Sequence, residues 1–217
     1  MDPAGEKHLP DPCGQTAMPL LLRFVDRLPA GGRVLEIGVE HGRHVLPLAR
    51  RGLRVTGIDT DPAQIDSVRE CSRREGLAVD LWQDGFDEFQ PREPFDVVLA
   101  FDQLPILTRS AGASLIYRIQ SWLKPRGLFL LTALHVDDPG YDLCRDTWEK
   151  IGLHSFREPG GAVRTFLARR EILDLFLGWE ILYHNEGLGP EHRHGGAAPE
   201  RHGVVEVVAR KRELLDE

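Results

Sequence analysis

The sequence predicts an α/β fold: a doubly wound, seven-stranded, mostly parallel sheet ending in an antiparallel C-terminal hairpin. Three observations predict it. Short β-rich runs alternate with helix-periodic segments from Ala17 to Leu134, the first such strand closes in a glycine turn that opens a helix, and the last two strand-like runs have no helix-length segment between them. With 217 residues and 41% hydrophobic composition the chain can fill one large core, and folding at this size buries roughly 70% of the extended chain's surface.

Leu20, Leu21, Phe24, Val25 and Leu28 recur at helical spacing behind Pro19, a residue suited to a first helical turn, and the helix is expected to end before Pro29. Arg33 to Gly38 reads as a strand closing in a glycine turn, followed by Gly42 and a helix to Arg51. Arg54 to Asp59 repeats the strand signal. Asp61-Pro62 then reads as an N-cap with proline at the first helical position, for a helix reaching Glu75 and stopped by Gly76. A third strand is expected at Ala78 to Gln83 and a buried fourth at Phe95 to Ala100. A helix from Ala113 to Leu123 ends at the turn Lys124-Pro125-Arg126-Gly127, before the apolar strand Leu128 to Leu134. Trp179 to Tyr183 and Val204 to Arg210 read as the hairpin. Residues 1–16 form an N-terminal extension suited to a lid, residues 17–217 one domain, and about 137–164 an irregular or partly helical insertion.

Charge and cysteine usage narrow the function classes. A formal net charge of -7 argues against a protein that coats nucleic acid or an anionic membrane. Cys13, Cys71 and Cys144 are odd in number and contain no Cys-x-x-Cys pair, which indicates neither a disulfide framework nor a zinc cage and fits a cytoplasmic location. No apolar run approaches the roughly 20 residues that span a bilayer. His192, His194 and His202 lack a cysteine or a helical His-x-x-x-His face, so no metal site is expected. The Cys144 thiol is read as buried and inert, Phe176 and Trp179 as core, and His44 as a residue of the helix surface.

In an open α/β sheet, ligands bind beyond the carboxyl ends of the strands, which points to the loops after Ile37, Ile58, Gln83 and Ala100. Gly38 and Gly42 follow a strand, open a helix and precede the acidic strand end Asp59 by about the 20 residues expected of a mononucleotide fold whose carboxylate binds ribose hydroxyls. The G-x-G-x-x-G spacing of a pyrophosphate cradle is absent, because Glu40 stands where its second glycine belongs. Glu36 and Glu40 bring negative charge to the turn, so a cationic ligand suits it better than a phosphate.

The run Val34-Leu35-Glu36-Ile37-Gly38-Val39-Glu40-His41-Gly42 resembles motif I of the class I S-adenosylmethionine-dependent methyltransferases, and the resemblance covers about Ala17 to His135. It implies S-adenosyl-L-methionine as cofactor. Gly38 and Gly42 are assigned to its methionine end, Asp59 to the ribose hydroxyls and Asp84 to the adenine amino group; Glu36, Val39, Glu40, Thr60 and Gly85 complete the cofactor-binding set. Phe101 is similar in place to residues flanking cofactor and acceptor, and Trp82 also lies near a strand end. Glu40 replaces the motif's middle glycine, and its carboxylate either pairs with the cofactor's ammonium group or folds outward to solvent.

A narrower resemblance lies in the tail. Phe166, Glu171-Ile172, Phe176, Gly178-Trp179-Glu180-Ile181-Leu182, Asn185-Glu186 and Glu191-His192-Arg193 are similar to the tellurite-resistance methyltransferases. That resemblance implies His192 and Arg193 as acceptor-handling residues, with Arg201 a further loop arginine at altered spacing. The implied activity is methyl transfer to a small-molecule acceptor such as tellurite, selenite or a small thiol. Two other readings fit the same pattern: O- or N-methylation of a small metabolite, and a non-catalytic S-adenosylmethionine-binding sensor. The sequence leaves monomer and homodimer equally open.

Overall fold

The β-rich runs near the N-terminus fold as parallel strands. The computed structural model describes residues 17–189 and 201–213. Strands β1 (Arg33–Ile37), β2 (Arg54–Ile58), β3 (Val79–Trp82) and β4 (Phe95–Ala100) come first. β1 pairs in parallel with β2, from Arg33↔Arg54 to Ile37↔Ile58, and with β4, while β2 pairs in parallel with β3. β5 spans Leu123–Leu134. Strands β6 (Glu149–Gly152), β7 (Ser155–Arg157) and β8 (Val163–Thr165) form a small antiparallel sheet of their own. The hairpin is β9 (Trp179–Leu188) and β10 (Gly203–Lys211). The main sheet has seven strands in the order β3-β2-β1-β4-β5-β10-β9, with β10 antiparallel to both β5 and β9; the seven strands and the terminal hairpin are those the sequence predicts. Among the described residues no helix is long and apolar enough to cross a membrane.

The described chain divides into two compact units, one of residues up to Leu99 with Trp122–Gly127, the other of Ala100–Ser121 with the residues from Leu128 on. In the first, helix α1 (Pro19–Phe24) starts on its proline and buries Leu20, Leu21 and Phe24. Helix α2 (Val45–Arg50) is short and buries Val45, Leu46, Pro47 and Leu48. Helix α3 (Pro62–Arg74) is capped as its sequence predicts. The Asp61 carboxylate accepts from Ala63 N–H at 2.8 Å, and Ile65, Val68 and Cys71 line the buried face. Each fully buried Val, Leu, Ile or Phe contributes roughly 1.5–3 kcal/mol relative to leaving it in water.

Asp96 ties this unit together, since its carboxylate accepts from Arg33 N–H at 2.8 Å and from Lys124 Nζ at 2.8 and 2.9 Å. Burial by itself raises the Asp96 pKa, but the Lys124 ammonium and the Arg33 N–H outweigh it and hold the group below the ordinary aspartate value of 3.8. The stability this supplies is present above the unfolded-state pKa and is lost as pH falls through the lowered folded value. Asp96→Asn is therefore expected to flatten the acid limb of the stability curve below about pH 4. Denaturant midpoints measured against pH check this, and an unchanged limb would remove Asp96 from the account.

In the second unit, helix α4 (Arg109–Trp122) starts four residues before the expected Ala113, because Thr108 caps it: its Oγ1 accepts from Ala111 N–H at 3.3 Å and its carbonyl from Gly112 N–H at 2.8 Å. Phe129, Phe176 and Trp179 pack with ring centroids 5.5–5.9 Å apart. The stretch read as an irregular insertion is ordered as helix α5 (Gly140–Thr147) followed by β6, β7 and β8. Its centre is a cluster of Cys144, Phe156 and Phe166, against which Leu134, Val136, Tyr141 and Trp148 pack. Burial pushes the Cys144 thiol pKa up, in keeping with an inert thiol.

Candidate functional site

The turn after β1 is built by backbone positions that side chains rarely tolerate. Gly38 has φ 80° and donates its N–H to Ile58 O at 2.9 Å, extending the β1–β2 ladder one step beyond the strand. Gly42 has φ 87°, and a Cβ there would stand 3.0 Å from two carbons of Leu46 and 3.3 Å from Val68. Only glycine meets both conditions without strain. Glu40, at φ 34°, takes a left-handed position that the motif gives to glycine. Its carboxylate is folded onto Arg43, with Nε–Oε2 at 2.6 Å and Nη2–Oε1 at 3.1 Å, so the arginine offsets its charge.

Asp59 joins this turn to the next strand end. Its Oδ2 accepts from Val39 N–H at 3.0 Å and its Oδ1 from Asp61 N–H at 2.9 Å. Each oxygen has a second lone-pair direction for a ligand hydroxyl. Gln64 of α3 adds another tie, its Oε1 accepting from His41 N–H at 2.8 Å. Thr60 follows, exposed, and Gly85 lies beside it: a Cβ on Gly85 would fall 3.7 Å from the Thr60 methyl. Asp84 is half-buried at the adjoining loop after β3, and Trp82 at the end of that strand is 41% exposed. Glu36, Gly38, Val39, Glu40, Gly42, Asp59, Thr60, Asp84 and Gly85 thus all lie at the carboxyl ends of β1, β2 and β3 or in the loops that follow them.

The remaining expected residues belong to the other unit or fall outside the description. Phe101 is buried directly after β4. Arg201 is exposed just ahead of β10, and His192 and Arg193 lie outside the described residues. Near Arg201, the buried Asp138 accepts through Oδ2 from His202 Nδ1 and from Gly203 N–H, both at 2.9 Å, and through Oδ1 from Gly140 N–H at 2.7 Å. The sequence singled out His202 only as a metal candidate, and Asp138 not at all.

His44 requires a correction. Read from the sequence as a surface residue, it is only 1% exposed, and its Nδ1 lies 2.5 Å from Oε1 of Glu36, whose side chain is equally buried. The signal was available in the residues that follow. Val45, Leu46, Pro47 and Leu48 are apolar around the whole helix, which places that helix, and the histidine that opens it, in the interior. The second oxygen of Glu36, Oε2, is buried and has no hydrogen-bond partner among the described residues. A buried anionic oxygen without a donor is costly unless a ligand supplies one, so this turn fits a ligand with a cationic N–H group.

Residues 34–127 match the family model described as a methyltransferase domain. A ubiquinone biosynthesis O-methyltransferase of Bradyrhizobium diazoefficiens is 34% identical over 105 residues, 48% of this chain and 41% of that protein. The chain thus spans about two fifths of the length of the curated relatives it matches. Among solved structures, a S-adenosylmethionine-dependent methyltransferase of Methanosarcina mazei superposes with a TM-score of 0.72 at 19% identity, over 90% of this chain and 98% of that one. TehB of Haemophilus influenzae superposes with a TM-score of 0.68 at 20% identity, over 88% of this chain and 62% of that one, a likeness of fold. Residues 34–127 are thus similar to a methyltransferase domain, and the solved structures that share the fold include S-adenosylmethionine-dependent methyltransferases.

Proposed function

We propose that the protein transfers the methyl group of S-adenosylmethionine to a small acceptor. The observation that carries this reading is Asp59, a carboxylate fixed by two backbone N–H groups at the end of β2, each oxygen of which has a second lone pair for a ribose hydroxyl. When bound, the cofactor supplies a sulfonium-activated methyl group open to in-line displacement. The chain's task is then to orient and to exclude water, and no nucleophilic side chain is needed. Asp59 holds the ribose, Asp84 accepts from the adenine amino group, the backbone at Gly38 and Val39 lies against the amino-acid end, and Glu36 Oε2 accepts from its ammonium.

For the acceptor we propose an oxyanion such as tellurite or selenite, or a small thiol. His192, Arg193 and Arg201 supply the positive field such an acceptor needs in a chain of net charge -7. An imidazole among them takes the proton of a thiol or oxyacid near neutral pH. A second reading, O-methylation of a small hydroxylated metabolite, is favoured by the likeness to ubiquinone biosynthesis O-methyltransferases.

Calorimetric titration with S-adenosylhomocysteine tests the cofactor site without knowledge of the acceptor. Micromolar binding is expected, and its absence in folded protein would overturn the proposal. Turnover of tellurite, selenite or small thiols against phenolic hydroxyls separates the two acceptor readings, and binding with no turnover on any of them favours a sensor. Arg193→Ala is expected to lower turnover of an anionic acceptor while affinity for S-adenosylhomocysteine persists. Parallel losses in both would mark a folding defect and remove Arg193 from the acceptor site.

A further inference from the structure

We infer that His44 is a positioning residue that fixes the Glu36 carboxylate for the ammonium group of an amino-acid-bearing nucleoside ligand, an inference that rests on the cofactor reading above. The tautomer follows from the geometry. Met18 donates its backbone N–H to His44 Nε2 at 3.1 Å, so that nitrogen carries a lone pair and the ring proton resides on Nδ1. Nδ1–H then donates to Glu36 Oε1 at 2.5 Å. A neutral imidazole facing a carboxylate leaves the pair with a net negative charge in a place where both side chains are 1% exposed.

That charge is half-satisfied. Oε1 is committed to the imidazole, whereas Oε2 has no partner among the described residues. Interiors retain such an oxygen only when something else neutralises it, and the match is a cationic N–H donor brought by a ligand. Glu36 stands two residues before Gly38, at the strand end that leads into the turn. With Oε1 tethered, the carboxylate cannot rotate its free oxygen away, so the ligand meets a pre-aimed acceptor instead of one that must first be ordered. The imidazole is itself held from the far side by Met18, which makes a chain of three groups: backbone amide, imidazole and carboxylate.

Two probes isolate this role: S-adenosylhomocysteine, which carries the ammonium, and 5′-methylthioadenosine, which has the same adenine, ribose and sulfur but no amino acid. His44→Phe removes the donor and is expected to weaken S-adenosylhomocysteine binding by roughly ten- to hundredfold, the range for a hydrogen bond to a charged group. Affinity for 5′-methylthioadenosine should stay within about twofold, because that ligand never meets Glu36. Asparagine places an N–H where Nδ1 stands and glutamine places one where Nε2 stands, so His44→Asn should recover the larger ligand's affinity and His44→Gln should not. The Asn and Gln pair also decides the matter if the phenylalanine variant does not fold. Equal loss for both ligands, or equal behaviour of Asn and Gln, would reduce His44 to a packing residue and overturn the inference. Failure of the unsubstituted protein to bind either ligand would instead overturn the cofactor reading itself.

Discussion

Asp59→Ala is expected to lower affinity for S-adenosylhomocysteine by about 1–3 kcal/mol, roughly 5- to 150-fold, the worth of hydrogen bonds between a carboxylate and ribose hydroxyls. The loss has two sources. The ligand's hydroxyls lose their acceptor, and the N–H groups of Val39 and Asp61 lose theirs, which frees the turn after β1 from the start of α3. Asp59→Asn separates them, because its one remaining carbonyl oxygen can still serve one of the two backbone amides. Calorimetry on both variants is the measurement. If alanine leaves the affinity unchanged, Asp59 does not contact the ligand.

Phe166→Ala is expected to cost the protein about 3–5 kcal/mol, the range for deleting a buried aromatic ring. Phe166 is fully buried and meets Tyr141 edge-on at 5.2 Å and Phe156 at 6.3 Å between ring centroids. It is the point where helix α5 and the β6–β8 sheet share a core, so the space it leaves is walled by rings held from two directions and cannot collapse easily. Denaturant unfolding followed by intrinsic fluorescence reads the change. A shift below about 1 kcal/mol would mean that the cluster repacks freely around the missing ring.

The sequence announced the main sheet because each strand carried a local signature. Val34 to Gly38 and Phe95 to Ala100 are buried on both faces and read as short apolar runs, and Asp61-Pro62 states a helix start in two residues. The turn was legible for a similar reason: left-handed φ at Gly38 and Gly42 demands glycine. What escaped was decided by contacts distant in sequence. Strands β6, β7 and β8 have three or four residues each, too few to show a period, and the core against them draws on Leu134, Val136 and Cys144, well before them in the chain. Helix α4 began early because a single threonine capped it ahead of a polar, glycine-containing turn. His44 was misplaced because one imidazole carries no sign of its partner; it lies eight positions from Glu36, and the pairing exists only once the turn after β1 has folded the start of α2 back toward that strand. At the acceptor end, Arg201 is on the surface and His192 and Arg193 lie outside the described residues, so the assignment there rests on the tail's resemblance.

Val39 and His41 donate their backbone N–H groups to Asp59 and Gln64. The loop that would surround a bound nucleoside is therefore stitched at two points, to the end of β2 and to the first turn of α3. These ties reduce the conformational freedom that binding would have to remove from the loop, so a ligand would meet a surface largely formed beforehand.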